Sequence, residues 1–92
     1  MSDTVHRTLK IINEKGLHAR ASAKLVEVVE GFDASADVTR DGMSALGDSI
    51  MGLLMLAASK GTSIEVHTTG PDALALANAL EALVSDRFGE DC

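Results

Sequence analysis

Hydrophobic and polar positions change rhythm several times along the chain, and each change marks an element. Residues 4–12 alternate imperfectly, with Val5, Leu9 and Ile11 on one side and His6, Thr8 and Lys10 on the other, which predicts a half-buried strand. Asn13-Glu14-Lys15-Gly16 breaks it. Over residues 19–30 the spacing becomes helical. Ala21, Leu25, Val28 and Val29 fall on one face, continued by Phe32, while Lys24, Glu27 and Glu30 face away, and Gly31 supplies a stop.

Two short strands are predicted at 34–39 and 43–46, joined by Arg40-Asp41-Gly42, because Asp-Gly favours a tight hairpin. Asp48 or Ser49 can cap a second helix over 50–59, ended by Gly61 and apolar nearly all round. Residues 62–69 alternate cleanly, with Ile64, Val66 and Thr68 opposed to Ser63, Glu65, His67 and Thr69. Gly70-Pro71-Asp72 opens a last helix with a stripe of Leu76, Ala77, Leu80, Leu83 and Val84. Residues 89–92 read as a loose tail. The order βαββαβα predicts an α+β fold, an antiparallel sheet covered on one side by helices, in a single domain over 1–92.

Composition narrows the function classes. The 92 residues suit one domain, and the core must be aliphatic, with two Phe and no Trp or Tyr. Eight Lys+Arg against fourteen Asp+Glu give a net charge of −6, so no basic face is available for nucleic acid or an anionic membrane. No apolar stretch approaches the roughly 20 residues of a membrane span, and MSDTVHR lacks a secretory h-region. A cytoplasmic protein is expected. The single cysteine, Cys92, forms no intrachain disulfide and sits beside acids that disfavour its thiolate.

The densest candidate chemistry is Gly16-Leu17-His18-Ala19-Arg20. His18 stands at a predicted helix start, where unpaired N–H groups and the helix dipole oppose protonation of the ring and can hold an anion beside it. Arg20 adds a guanidinium two residues on. A neutral nucleophile, N–H donors and a cation suit reversible phosphoryl transfer, which depends on positioning and charge stabilisation. No ATP-binding loop and no metal cluster accompanies them, so neither a cofactor nor a metal site is expected. As a helix cap beside a solvated charge, the same residues would have no chemistry at all.

Gly16-Leu17-His18-Ala19-Arg20 closely resembles the active-site signature of the HPr family, the histidine-containing phosphocarriers of the phosphotransferase system. Ser49-Ile50-Met51-Gly52-Leu53-Leu54 resembles the family's second signature, around its regulatory serine, and the likeness continues through Lys60-Gly61, Ile64-Glu65-Val66 and Thr69-Gly70-Pro71. The resemblance implies an open-faced β-sandwich with four antiparallel strands and three helices on one face. It implies a stoichiometric carrier rather than an independent enzyme: enzyme I, charged by phosphoenolpyruvate, phosphorylates Nδ1 of His18, Arg20 stabilises the phosphate, and a IIA protein receives it. One departure stands out. The family usually has proline after that arginine, where this chain has Ala21-Ser22, so a looser first turn is expected and Ser22 reads as a surface serine.

Ser49 is expected to cap its helix, and the resemblance adds modification by an HPr kinase/phosphorylase. The apolar helix predicts an exposed patch of Ile50, Met51 and Leu54, joined by Leu17, with Lys24 and Arg20 facing acidic partners. His6 and His67 read as solvated, and could pair on a metal only if their strands are neighbours with both rings on one face. Leu53-Leu54-Met55-Leu56, Lys60-Gly61 and Phe88-Gly89-Glu90-Asp91 look more like the nitrogen-related branch, NPr, whereas Ser49-Ile50-Met51-Gly52 looks like HPr under serine-kinase control. A monomeric carrier in a regulatory branch is expected. The alternatives are a sugar-uptake HPr and a binding module that no longer transfers. An independent histidine hydrolase lacks an orienting carboxylate in the motif.

Overall fold

The structure is a computed structural model and describes residues 4–91; Cys92 lies outside the described residues. In chain order the elements are β1 (Thr4–Lys10), α1 (Ala19–Glu30), β2 (Ser35–Arg40), β3 (Met43–Leu46), α2 (Ile50–Met55), β4 (Ser63–Thr69) and α3 (Ala73–Ser85). A single 3-10-type turn, Arg87–Gly89, follows α3. The strands form one antiparallel sheet in the order β1-β4-β2-β3.

Alternation explains which face is covered. In β4 the side chains of Ile64, Val66 and Thr68 are buried, while Ser63, Glu65 and Thr69 are exposed. Val38 of β2 and Leu9 of β1 extend the inner row, and α1 and α3 lay Leu25, Val29, Leu76, Leu80 and Val84 into the same core. Thr68 is the polar member of that row, and its hydroxyl donates to the carbonyl of Ala73 at 2.7 Å, which satisfies it at the start of α3. Arg7 of β1 turns toward α3, where Nε meets Glu81 at 3.2 Å and a terminal nitrogen donates to Asn78 at 3.3 Å. An arginine therefore closes the edge of the sandwich between Val5 and Leu9.

The hairpin forms as Asp41-Gly42 implies, with both residues at positive φ, 48° and 81°. The second helix is shorter than its composition suggests. It stops at Met55, Leu56 is its C-cap, and Ala57 enters the left-handed region at φ 51°. The turn lets Leu56 and Ala58 both reach the core, 1% and 3% exposed, which a continued helix would not allow. Arg40 fastens the turn by donating to the carbonyl of Leu56 at 3.0 Å.

On the uncovered face, β1 and β4 place His6 directly opposite His67, as neighbouring strands with both rings on one side. The rings stack, with centroids 4.4 Å apart and 8° between planes, and His6 Nε2 lies 3.1 Å from a Glu65 oxygen. Stacked rings direct their in-plane nitrogens in parallel rather than toward a common ion, and among the described residues no three His, Cys, Asp or Glu side chains surround a metal position.

Candidate active site

His18 is the N-cap of α1, in extended conformation (φ −79°, ψ −177°), with no side-chain capping bond. Its carbonyl accepts from the Ser22 N–H at 2.8 Å, so the helix begins at once and the N–H groups of residues 19–21 have no acceptor within the helix. The preceding loop is held from inside. Leu17 N donates to the Ala58 carbonyl at 2.8 Å, and a Cβ on Gly16 would lie 2.5 Å from that same oxygen. Gly16 is thus required by an internal close approach of residues 58–59, with φ +64° besides.

The imidazole of His18 is held by a residue 72 positions away: Nε2 makes a short hydrogen bond to Oε2 of Glu90. The side chains are 26% and 16% exposed, so the contact is sheltered but reachable. The other Glu90 oxygen accepts from Nδ2 of Asn13 at 3.0 Å, and the same Asn13 amide donates to the Gly16 carbonyl at 2.8 Å. Asn13 is fully buried, so it ties the loop and the chain's end together. Glu90 is held below the usual carboxylate range, chiefly by the hydrogen bond from His18 and next by that from Asn13. Burial works the other way, and the charges of His18 and Lys15 add smaller downward pulls.

An ionised carboxylate can only accept, so the ring must donate from Nε2. In a neutral imidazole the lone pair then sits on Nδ1, for which no hydrogen bond is found among the described residues. His18 and Glu90 line a cavity of about 180 Å³ together with Glu14, Lys15, Arg20 and Asp91. Arg20 is exposed and makes no ion pair among the described residues, which leaves its guanidinium open to an anion at the helix start.

Glu90 reaches the site through a strained turn. Arg87, Phe88 and Gly89 all have positive φ, at 54°, 54° and 77°. Two non-glycine residues in that region cost about 1–3 kcal/mol each and persist only where surroundings over-determine them. Here Phe88 is fully buried, and its carbonyl accepts from Nζ of Lys24 on α1 at 2.5 Å. The segment expected to be a loose tail is therefore anchored through Glu90. Sequence reasoning missed Glu90 and Asn13. The one available signal was Phe88, a large apolar residue beyond the last helical stripe, which needs a place in the core.

Several expected site residues change role. Leu17 is 4% exposed and belongs to the core, so it does not join an exposed patch. Lys24 is half-buried, and its ammonium donates one hydrogen bond to the Phe88 carbonyl. Ser22 is fully buried and its hydroxyl donates to the Leu17 carbonyl at 3.3 Å. With Ala21 also fully buried, packing and this bond support the first turn where the family has proline.

Ser49 caps α2 as expected, its hydroxyl accepting from the Gly52 N–H at 3.0 Å. Met51 is 71% exposed, Ile50 is exposed and Leu54 is half-buried. Met55 of the same helix is also exposed, as are Met43 and Leu46 of β3.

The family model described as "PTS HPr component phosphorylation site" matches residues 5–86. The chain is 44% identical over 86 residues to phosphocarrier protein HPr of Cupriavidus necator, covering 94% of this chain and 97% of that relative. It is 43% identical over 89 residues to phosphocarrier protein NPr of Escherichia coli, covering 96% and 99%. Among solved structures, HPr of Thermoanaerobacter tengcongensis superposes with a TM-score of 0.91 at 32% identity, over 96% of this chain and 99% of that one. A sheet order, a signature around His18 and a match over nearly the whole length agree: the chain belongs to the HPr family of phosphocarriers of the phosphotransferase system.

Proposed function

We propose that this protein accepts a phosphoryl group on Nδ1 of His18 from enzyme I and passes it to a IIA protein. The observation that carries the reading is the hydrogen bond between Glu90 and Nε2, which leaves Nδ1 as the free nucleophile in the cavity shared with Lys15 and Arg20. Arg20 and the first-turn N–H groups of α1 supply positive potential where the phosphoryl oxygens come to lie. The carboxylate on His18 also revives the question of a hydrolase. Glu14 and Asp91 line the cavity beside Lys15 and Arg20, so its polar groups alone do not decide, and the match to phosphocarriers over residues 5–86 favours a protein acceptor over water.

Docking is assigned to the apolar surface of Ile50, Met51, Leu54 and Met55, where methionine adapts to unlike partners. Relatives named HPr and NPr are equally near, at 44% and 43% identity, so the regulatory branch rests on the Leu53-Leu54-Met55-Leu56 run and the Phe88-Gly89-Glu90-Asp91 ending. Ser49, at the head of the exposed helix, is the proposed regulatory phosphorylation site for an HPr kinase/phosphorylase. About two negative charges there oppose partners that present acids to Arg20.

Intact-mass measurement after mixing with enzyme I, magnesium and phosphoenolpyruvate tests the reading, with His18→Ala alongside. One acid-labile phosphoryl group on the parent and none on the variant is the expected result. No modification of either, while a known HPr is modified in parallel, removes the carrier function.

A further inference from the structure

The turn of residues 86–90 lies far from the His18 signature in sequence, yet it is fixed at several points and its Glu90 meets the imidazole. Phe88 fills a fully buried site, Lys24 holds the Phe88 carbonyl at 2.5 Å, and Asn13 holds one Glu90 oxygen at 3.0 Å while the other meets His18 Nε2. Three successive positive-φ residues lead from the buried Phe88 ring to this carboxylate. A strained turn held by a buried ring and two hydrogen bonds, and ending on the imidazole, points to a role for that contact.

We propose that Glu90 is a positioning residue for phosphoryl transfer: the strap of residues 86–90 holds His18 in the tautomer that exposes Nδ1, and supplies the counter-charge when Nδ1 carries the phosphoryl group. The proposal rests on the carrier reading of His18 and goes beyond it by naming what selects the reacting nitrogen.

The chemistry balances without proton transfer. The Nδ1 lone pair attacks phosphorus, the bond from phosphorus to the donor atom breaks, and its electron pair stays with the donor. The ring of His18 now bears phosphorus on Nδ1 and a proton on Nε2, so it is an imidazolium with one positive charge. Glu90 neutralises that charge at hydrogen-bond distance. In onward transfer the Nδ1–P pair returns to Nδ1 and the starting tautomer is restored. A protonated ring is the better leaving group, so a carboxylate that keeps Nε2 protonated keeps the carrier ready to discharge. The charged groups facing this pair are Glu14 and Lys15 from the loop, Arg20 from α1 and Asp91 beyond the strap, with Lys24 behind Phe88. Lys15 and Arg20 line the cavity as its two cations, and Glu90 alone of the three acids lining it is bonded to the ring.

Two variants separate geometry from charge. In Glu90→Gln the amide oxygen still accepts from Nε2, so the tautomer is kept and the counter-charge is lost. In Glu90→Ala both are lost. Nitrogen-15 NMR of the imidazole in the unphosphorylated full chain is expected to show one Nε2–H tautomer in the parent and in Glu90→Gln, and a mixture in Glu90→Ala. Transfer from enzyme I is expected to fall about 10- to 100-fold in Glu90→Ala. In phosphorylated Glu90→Gln, the pH profile of discharge shifts to lower pH, because Nε2 gives up its proton more readily.

A purely structural carboxylate would move neither the tautomer ratio nor the pH profile. An unchanged tautomer, rate and profile in Glu90→Ala overturns the proposal. A parent locked in one tautomer yet never phosphorylated by a competent enzyme I overturns the carrier reading and the transfer role with it, whereas a phosphorylated parent with an indifferent Glu90→Ala overturns the positioning role alone.

Discussion

Gly16 lies against Ala58 so closely that a Cβ on the glycine would stand 2.5 Å from the alanine's carbonyl oxygen and 2.9 Å from the Ser59 Cα. The crossing comes two residues before the imidazole, and the Leu17 N–H donates to that same oxygen at 2.8 Å. Replacing Gly16 with alanine therefore adds a clash with backbone to the cost of a left-handed φ of +64°. The expected loss is about 2–4 kcal/mol, read as a lower urea midpoint at unchanged slope. A variant as stable as the parent would mean that residues 58–59 yield easily, and that the loop before His18 is not held from beneath.

Ser49 caps a helix of six residues, so the bond to the Gly52 N–H at 3.0 Å is a large part of what defines α2 locally. Ser49→Ala is expected to cost about 1 kcal/mol in chemical denaturation. Ser49→Asp keeps an acceptor at the cap and should be near parent stability, while binding to enzyme I weakens through the added charge. Titration calorimetry with equal affinities for parent and Ser49→Asp would count against a docking role for this end of α2.

How much of this was legible beforehand varies with how local the cause is. Helix α1 runs over Ala19–Glu30 as its apolar stripe predicts, because stripe, charges and Gly31 all act within the segment. Helix α2 was over-extended because Met55-Leu56-Ala57-Ala58 has helical composition, and only the shared core shows that Leu56 and Ala58 must both turn inward. The site divides in the same way. His18 and Arg20 lie in one contiguous motif, whereas Glu90 meets His18 across 72 positions and its neighbours Gly89 and Asp91 read as tail. Leu17 was expected in an exposed patch for a related reason: a motif names residues but does not say which way a loop turns them, and this one is buried.

Arg20 offers the opposite case, a residue whose function and stability should separate. It is exposed and free of ion pairs among the described residues. Arg20→Ala should stay within about 0.5 kcal/mol of the parent in stability, yet slow phosphoryl transfer from enzyme I. Rapid-quench measurement of the transfer rate checks it, and an unchanged rate removes Arg20 from the site.

The lowered pKa of Glu90 links the site to stability with a definite sign. The ordinary value is 4.5, and the hydrogen bonds from His18 and then Asn13 bring the folded value below it. Above pH 4.5 the carboxylate is ionised in both folded and unfolded chains, and its stabilisation is fully present. As pH falls through 4.5 the unfolded chain takes up the proton first, and the stabilisation drains away down to the folded pKa. The stability difference between parent and Glu90→Gln should thus be largest above pH 4.5 and shrink below it, in paired urea titrations. A difference that does not change with pH would mean the carboxylate is not bonded as described.

Phe88 tests whether the strap and the imidazole are mechanically one unit. Its ring is fully buried, so Phe88→Ala should cost about 3–5 kcal/mol by cavity formation alone. A structural loss of that size would lower the melting temperature without distinguishing the strap from any other core position. The distinguishing readout is the His18 ring in the fraction that remains folded. Without the Phe88 ring, only the Lys24 bond to the residue 88 carbonyl and the Asn13 bond to Glu90 remain on the strap, so it relaxes and Glu90 leaves Nε2. The tautomer mixture of Glu90→Ala should then appear in Phe88→Ala, although Glu90 itself is present. Phe88→Leu refills most of the volume and should restore both stability and the single tautomer together. If the folded fraction of Phe88→Ala kept the single Nε2–H tautomer, Asn13 and Lys24 would be sufficient to hold Glu90 in place, and the strain at Arg87 and Phe88 would need another reason.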